Sequence, residues 1–167
     1  MLHISQNKFA DSDRLKLTEA KTILLVEDET CVRDVIAEAL RVEGFIVLEA
    51  ADGQEALRIS NRHLGKIHLL LADVFMPRLG GKTTAAVLTK VRSEMAVLYI
   101  SGYSRDMLES GGHLTADDYM LQKPFPLQQL LHEVEATMLR EPFQRFRPLM
   151  PDNFTPPTTE AKQDGFE

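Results

Sequence analysis

The stretch TILLVED, residues 22–28, is an apolar run that ends on two carboxylates, Glu27 and Asp28. A run that is apolar throughout after its first residue is typical of a strand covered on both faces of a parallel sheet. The carboxyl ends of parallel strands meet at one edge of the sheet, so polar residues at those ends are predicted to converge on one site. Three more apolar runs end shortly before such a residue: Ile67–Ala72 before Asp73, Ala96–Ile100 before Ser101, and Tyr119–Leu121 before Lys123.

The predicted site holds three carboxylates, one hydroxyl and one ammonium. Carboxylate oxygens are preferred ligands of a hard divalent cation such as Mg²⁺, and an ammonium pairs with phosphoryl oxygens. This set of groups therefore indicates phosphoryl chemistry rather than hydride or acyl transfer.

Helical patterns separate the apolar runs. The first helix is predicted to be capped by Thr30 and closed by Gly44. Its inward stripe is predicted to consist of Val32, Val35, Ile36, Ala39 and Leu40. The remaining predicted elements are a strand, Phe45–Glu49, and four helices: Gly53–Arg62 after Asp52, Thr83–Arg92 with Ala86, Val87 and Val91 on one face, a short helix after Ser104, and a last helix that starts at Pro126.

Strands that alternate with helices of about 10–15 residues form right-handed crossovers and a parallel sheet. We therefore expect an α/β domain over residues 21–140, with a doubly wound, five-stranded parallel sheet in a three-layer arrangement. The expected topology is flavodoxin-like, with strand order 2-1-3-4-5.

Outside this domain the chain changes character. Residues 1–20 lack a clean period and are predicted to form a leader, whereas the proline-rich residues 141–167 are predicted to form an extended or disordered tail. The net charge of −6 argues against a nucleic-acid-binding surface. The single cysteine, Cys31, excludes an internal disulfide, and no apolar run reaches the ~20 residues of a membrane span. The prediction is a cytoplasmic protein that binds neither nucleic acid nor membrane.

Four motifs together resemble the receiver domain of bacterial response regulators, which act in two-component signalling. They are ILLVEDE at 23–29, LLADVFMP at 70–77, YISGYS at 99–104 and LQKPF at 121–125. Each falls at a predicted strand end, and the order and spacing are those of the family. The sequences of the last two motifs are most similar to those of receivers of hybrid sensor histidine kinases.

The resemblance implies a role for each site residue. Asp73 would be the phosphoacceptor, and Lys123 would pair first with Asp73 and then with the phosphoryl group. The hydroxyl of Ser101 would hydrogen-bond to that group once it arrives. The implied cofactor is Mg²⁺, held by Glu27, Asp28, Asp73 and the backbone carbonyl of Phe75. The family also implies a cis peptide bond between Lys123 and Pro124.

One position departs from the family pattern. Receivers usually carry an aromatic switch residue three positions before the lysine, and here that position is Met120, with Tyr119 before it. Two interpretations remain open: Tyr119 substitutes for it with altered register, or coupling to the output is weak or differently routed.

Two aromatic residues flank the implied site. Phe75 lies two residues after the acceptor, and Tyr103 lies two residues after Ser101. The family implies that residues at these positions control access of the hydrolytic water, so we expect slow self-dephosphorylation.

The leading functional hypothesis is a receiver that accepts a phosphoryl group from a sensor histidine kinase or a histidine phosphotransfer protein. Apart from the phosphorylation and dephosphorylation of its own Asp73, it would catalyse no reaction. The alternative is a pseudo-receiver that binds partners without phosphorylation. The sequence does not identify the downstream target or show whether the protein forms a homodimer. It also leaves open whether the chain is a stand-alone receiver or a fragment of a hybrid kinase.

Overall fold

Strands and helices alternate throughout residues 20–140, the part of the chain that the structure, a computed structural model, describes. The predicted tail and all but the last residue of the predicted leader lie outside the described residues. The elements are β1 (Thr22–Val26), α1 (Thr30–Val42), β2 (Ile46–Ala50), α2 (Gly53–Arg62), β3 (Leu69–Asp73), α3 (Gly81–Val91), β4 (Ala96–Ser101), α4 (Arg105–Ser110), β5 (Met120–Gln122) and α5 (Leu127–Leu139).

The five strands form one parallel sheet in the order β2-β1-β3-β4-β5. The chain moves from β1 to one edge of the sheet and from β3 to the other. The carboxyl ends of β1 and β3 therefore flank the crevice in which ligands bind to sheets of this kind. The predicted doubly wound fold and its strand order are confirmed.

Side chains of the central strands alternate between two apolar clusters, one on each face of the sheet. Leu70 and Ala72 of β3 belong to the cluster under α2, α3 and α4, whereas Leu69 and Leu71 belong to the cluster under α1 and α5. All four side chains are fully buried. The predicted three-layer arrangement follows from this division.

The predicted inward face of α3 is wrong. Ala86, Val87 and Val91 are exposed, and the buried residues are Gly81, Thr84, Ala85 and Leu88. The hydroxyl of Thr84 donates to the carbonyl of Gly80 at 2.9 Å, so this polar residue is buried with its hydrogen bond satisfied. A Cβ at Gly81 would lie 2.2 Å from the carbonyl oxygen of Asp73. This close approach fixes which face of α3 meets the sheet.

The predictions for α1 are correct in part. Gly44, with φ of +89°, follows the helix, and its N–H donates to the carbonyl of Arg41 at 2.9 Å. Thr30 is the first helical residue and not the cap; Glu29 takes the cap position without a side-chain cap hydrogen bond. Val35 is 57% exposed because the sheet covers a narrower stripe than the apolar pattern offers.

Several element boundaries differ from the predicted ones by one or two residues. Strands β2, β3 and β5 begin later than their apolar runs. Pro126 precedes α5 as its cap residue instead of starting it. None of the helices between residues 20 and 140 combines the length and apolar character needed to cross a membrane.

Candidate functional site

The carboxyl edge of the sheet brings the predicted polar residues together. Glu27 and Asp28 directly follow β1, Asp73 is the last residue of β3, and Ser101 is the last residue of β4. Lys123 lies just past β5, and its N–H donates to the carbonyl of Ser101 at 2.7 Å.

Lys123 bridges two carboxylates across the crevice. Its Nζ lies 2.7 Å from Oδ2 of Asp73 and 2.6 Å from Oε2 of Glu27. The peptide bond between Lys123 and Pro124 is cis, as predicted. These contacts join residues that are far apart in the sequence into one charged group.

Backbone amides hold the second oxygen of each carboxylate. The N–H of Phe75 donates to Oδ1 of Asp73 at 2.9 Å, and the N–H of Glu29 donates to Oε1 of Glu27 at 3.3 Å. Glu27 is 1% exposed and Asp73 is 8% exposed, whereas Asp28 is exposed. The orientation of both buried carboxylates is therefore set before any ligand binds.

Burial and neighbouring charges shift two pKa values in the site. Burial raises the pKa of Glu27, and the charge of Asp73 adds to this, although Lys123 opposes it. For Lys123, burial lowers the pKa, but hydrogen bonds and charges from Asp73 and Glu27 outweigh it, so the net shift is upward. The ammonium is thus kept charged beside the acceptor.

Three carboxylates are placed to hold a cation. Glu27, Asp28 and Asp73 each offer an oxygen, and these oxygens all lie within 4.8 Å of one another. Hard oxygen donors around such a space fit Mg²⁺, which keeps several of its waters and needs few protein ligands. The fourth predicted ligand, the carbonyl of Phe75, stays a prediction.

Ser101 is fully buried at the end of β4. Its Oγ accepts a hydrogen bond from the N–H of Tyr103 at 3.2 Å. The hydroxyl is therefore hydrogen-bonded to the loop that leads into α4, so a movement of this side chain would shift that loop.

Met120 and Tyr119 lie on opposite faces of the sheet. Met120 packs against the cluster under α2, α3 and α4, together with Tyr99, its partner in the β4–β5 register. Tyr119 packs under α1 and α5, and the guanidinium of Arg140 lies 4.1 Å from its ring centroid. Tyr119 therefore does not take the position of Met120, and the aromatic ring beside Met120 is that of Tyr99.

The aromatic pair predicted to flank the site has a third member. The ring of Phe75 contacts Tyr103 edge-on at a centroid distance of 5.1 Å and His113 at 4.7 Å. We call Phe75, Tyr103 and His113 the aromatic cluster. His113 could not be found from ligand spacing, since it reaches Phe75 only through the tertiary fold. The sequence signal nearest to it is Gly111-Gly112, which turns the chain after α4.

Comparison with known proteins gives one consistent family. A family model for the response regulator receiver domain matches residues 23–135. Sensor kinase CckA of Brucella abortus is 36% identical over 125 residues, which are 75% of this chain and 13% of that protein. Transcriptional regulatory protein PdtaR of Mycobacterium tuberculosis is 36% identical over 72% of this chain and 58% of its own length. The chain thus spans less than two thirds of either curated relative.

A solved structure agrees with this result. Response regulator protein TrrA of Thermotoga maritima, determined in complex with Mg²⁺-BeF, matches with a TM-score of 0.59 at 28% identity. The match covers 70% of this chain and 98% of that one.

Proposed function

The chain belongs to the family of response regulator receiver domains of two-component signalling, and we propose that it accepts a phosphoryl group on Asp73. The observation that supports this most directly is the position of Lys123. Its ammonium lies 2.7 Å from the proposed acceptor and 2.6 Å from Glu27. A charge in this place stabilises a phosphoryl group during transfer and after it.

The proposed reaction is a single displacement at phosphorus. A carboxylate oxygen of Asp73 forms a bond to phosphorus as the P–N bond of a phosphohistidine breaks, and the bonding electron pair returns to the imidazole nitrogen. The product is an acyl phosphate on Asp73. The phosphodonor is a sensor histidine kinase or a histidine phosphotransfer protein, in keeping with the similarity to a sensor kinase.

Glu27, Asp28 and Asp73 would hold Mg²⁺ in this reaction. When bound, the cation would neutralise charge on the phosphoryl oxygens. The relative solved with Mg²⁺-BeF supports this assignment. The residues of the chain itself orient the acceptor, through the N–H of Phe75, and balance its charge, through Lys123.

Ser101 is the proposed link from phosphorylation to output. Its hydroxyl would turn to donate a hydrogen bond to the new phosphoryl oxygens and would carry the loop around Tyr103 with it, because the two are hydrogen-bonded. The resulting change would appear on α4, β5 and α5. We infer that the chain catalyses only the phosphorylation and dephosphorylation of its own Asp73.

Intact mass in the presence of acetyl phosphate and Mg²⁺ tests this proposal. We expect a gain of one phosphoryl group that requires Mg²⁺ and is lost in Asp73→Asn. The matched control is Asp34→Asn, which removes an exposed carboxylate from α1 and should leave the gain unchanged.

A second donor separates the receiver from the pseudo-receiver. Met120 in place of an aromatic switch residue is the observation that favours the pseudo-receiver. If the folded protein gains no phosphoryl group from acetyl phosphate or from a phosphorylated histidine kinase, phosphate-independent binding becomes the better account.

A further inference from the structure

An apolar groove runs along the surface between α1 and α5. It has a volume of about 560 Å³, and its floor is formed by Val35, Ala39, Val42, Leu127 and Leu131. Val35 and Val42 are 57% and 75% exposed. Exposed apolar residues that are contiguous and lie in a groove mark a binding surface more often than exposed apolar residues that are scattered singly.

The rim of this groove is acidic. Asp34, Glu38 and Glu43 line it, and no basic residue does. Asp34 and Glu38 belong to α1, Glu43 directly follows it, and all three carboxylates are exposed. An occupant that matches the groove is therefore apolar on one side and positively charged on the other.

The chain itself carries such a segment just after α5. Residues 143–150 read Phe-Gln-Arg-Phe-Arg-Pro-Leu-Met and contain two arginines, four large apolar side chains and no acidic residue. The rest of the chain after this segment carries one basic residue, Lys162, among four acidic ones. Within residues 141–167, arginines and large apolar residues thus occur together only in these eight residues.

The segment starts within reach of the groove. Glu43 borders both the groove and a neighbouring cleft that Leu139 lines, so the end of α5 lies beside one end of the groove. The 13 residues of α5 span about 20 Å. An extended chain covers that distance in about six residues, so residues 143–150 are long enough to reach the floor by a return path along α5.

We propose that residues 143–150 dock in the α1–α5 groove of the same chain. Arg145 and Arg147 pair with the acidic rim, and the phenylalanines and Leu149 cover the floor. Because the connection to α5 is short, the local concentration of the segment is high and few contacts are needed.

A nitroxide on Cys31 tests the docking directly and requires no phosphorylation. Cys31 is the single cysteine of the chain, is exposed, and lies one turn from Asp34 on α1. In the full chain, we expect the label to broaden the backbone amide signals of Arg147, Leu149 and Met150 more than those of Glu141, Phe143 and Gln144. The broadening should fall again toward residue 167.

Two charge reversals sharpen this test. Arg147→Glu, and Glu38→Lys on the rim, should abolish the maximum at residues 147–150. Lys162→Glu makes the same kind of change in the tail outside the segment and should leave the maximum in place. A profile without a maximum, or one that Arg147→Glu leaves unchanged, overturns the proposal.

Mixed samples identify the source of the segment. Isotope-labelled chains without nitroxide are combined with unlabelled chains that carry it. Broadening of residues 147–150 in this mixture means that a second copy supplies the segment, and this result overturns docking within one chain. Its absence, together with the maximum in the singly prepared sample, supports the proposal.

Discussion

The two halves of the carboxyl edge of the sheet are built differently. At the ends of β2, β1 and β3, which we call the buried half, lie three buried carboxylates, and each has a basic partner. Asp52 pairs with Arg78, and Glu27 and Asp73 share Lys123. At the ends of β4 and β5 no carboxylate among the described residues is buried.

The second half, which we call the exposed half, continues into α4 and the segment before β5 and is held by partly exposed groups. Arg105 of α4 pairs with Glu109 at 3.1 Å and donates to the carbonyl of Asp118 at 2.9 Å, and Lys82 pairs with the side chain of Asp118. Exposed pairs contribute little stability, whereas a buried charge that loses its partner is costly. The first half therefore fixes the positions of the charged groups at the site, whereas the second half can rearrange at small cost in free energy.

The largest expected effect comes from the buried half. Lys123→Met leaves Glu27 and Asp73 without a cationic partner, so we expect a loss of about 2–3 kcal/mol in the free energy of unfolding, below the full value for a buried pair because Lys123 is partly exposed. Phosphorylation of Asp73 should be lost. Urea unfolding and intact mass measure the two effects.

Lys82→Met is the matched control from the exposed half. It removes the ion pair with Asp118, in which the lysine is 43% exposed, so the loss should stay below ~1 kcal/mol. Equal losses of stability in the two variants would show that the two halves do not differ in this way.

The next effect concerns Asp52, which caps α2. Its Oδ1 accepts from the N–H of Glu55 at 2.8 Å. Asp52→Ala should reduce the free energy of unfolding by about 1–2 kcal/mol, and Asp52→Asn by less, since asparagine also caps helices.

The pH dependence of this effect has a definite sign. The hydrogen bond from Glu55, and then Arg78, lower the pKa of Asp52 from its ordinary value of 3.8. The stability that the carboxylate contributes is present above pH 3.8 and is lost as the pH falls through the lowered pKa. The difference between the wild type and Asp52→Asn should therefore close in acid. A difference that persists there would contradict the assignment.

The aromatic cluster should affect the lifetime of the acyl phosphate. Phe75 contacts both other rings, and such contacts contribute about 0.5–1.5 kcal/mol, so Phe75→Ala should shorten the lifetime roughly two- to tenfold. Tyr103→Ala and His113→Ala remove one contact each and should act less strongly. Loss of the phosphoryl mass with time is the measurement.

Met107→Ala is the control for the cluster, because it truncates an exposed apolar side chain of α4 outside it. Its lifetime should match that of the wild type. A wild-type lifetime of seconds that Tyr103→Ala leaves unchanged would contradict the shielding function.

The strand ends could be predicted from the sequence because their signal is local. Asp73 follows a long apolar run, and parallel topology then places it beside Glu27 and Lys123. The face of α3 could not be predicted, since Thr84 is polar but hydrogen-bonded to the carbonyl of Gly80. His113 could not be placed either, because its contact with Phe75 exists only in the folded chain.

The smallest expected effect tests the exposed half by itself. Glu109→Gln removes the charge from its ion pair with Arg105, which lies four residues earlier on α4, and pairs of this spacing contribute about 0.3–0.5 kcal/mol. Arg105 keeps its hydrogen bond to the carbonyl of Asp118, so the packing of α4 should not change. Urea midpoints at low and high salt measure the effect, which should vanish at high salt because the pair is exposed. A loss above ~1 kcal/mol that salt does not screen would show that α4 is held as firmly as the buried half, and the contrast between the two halves would then fail.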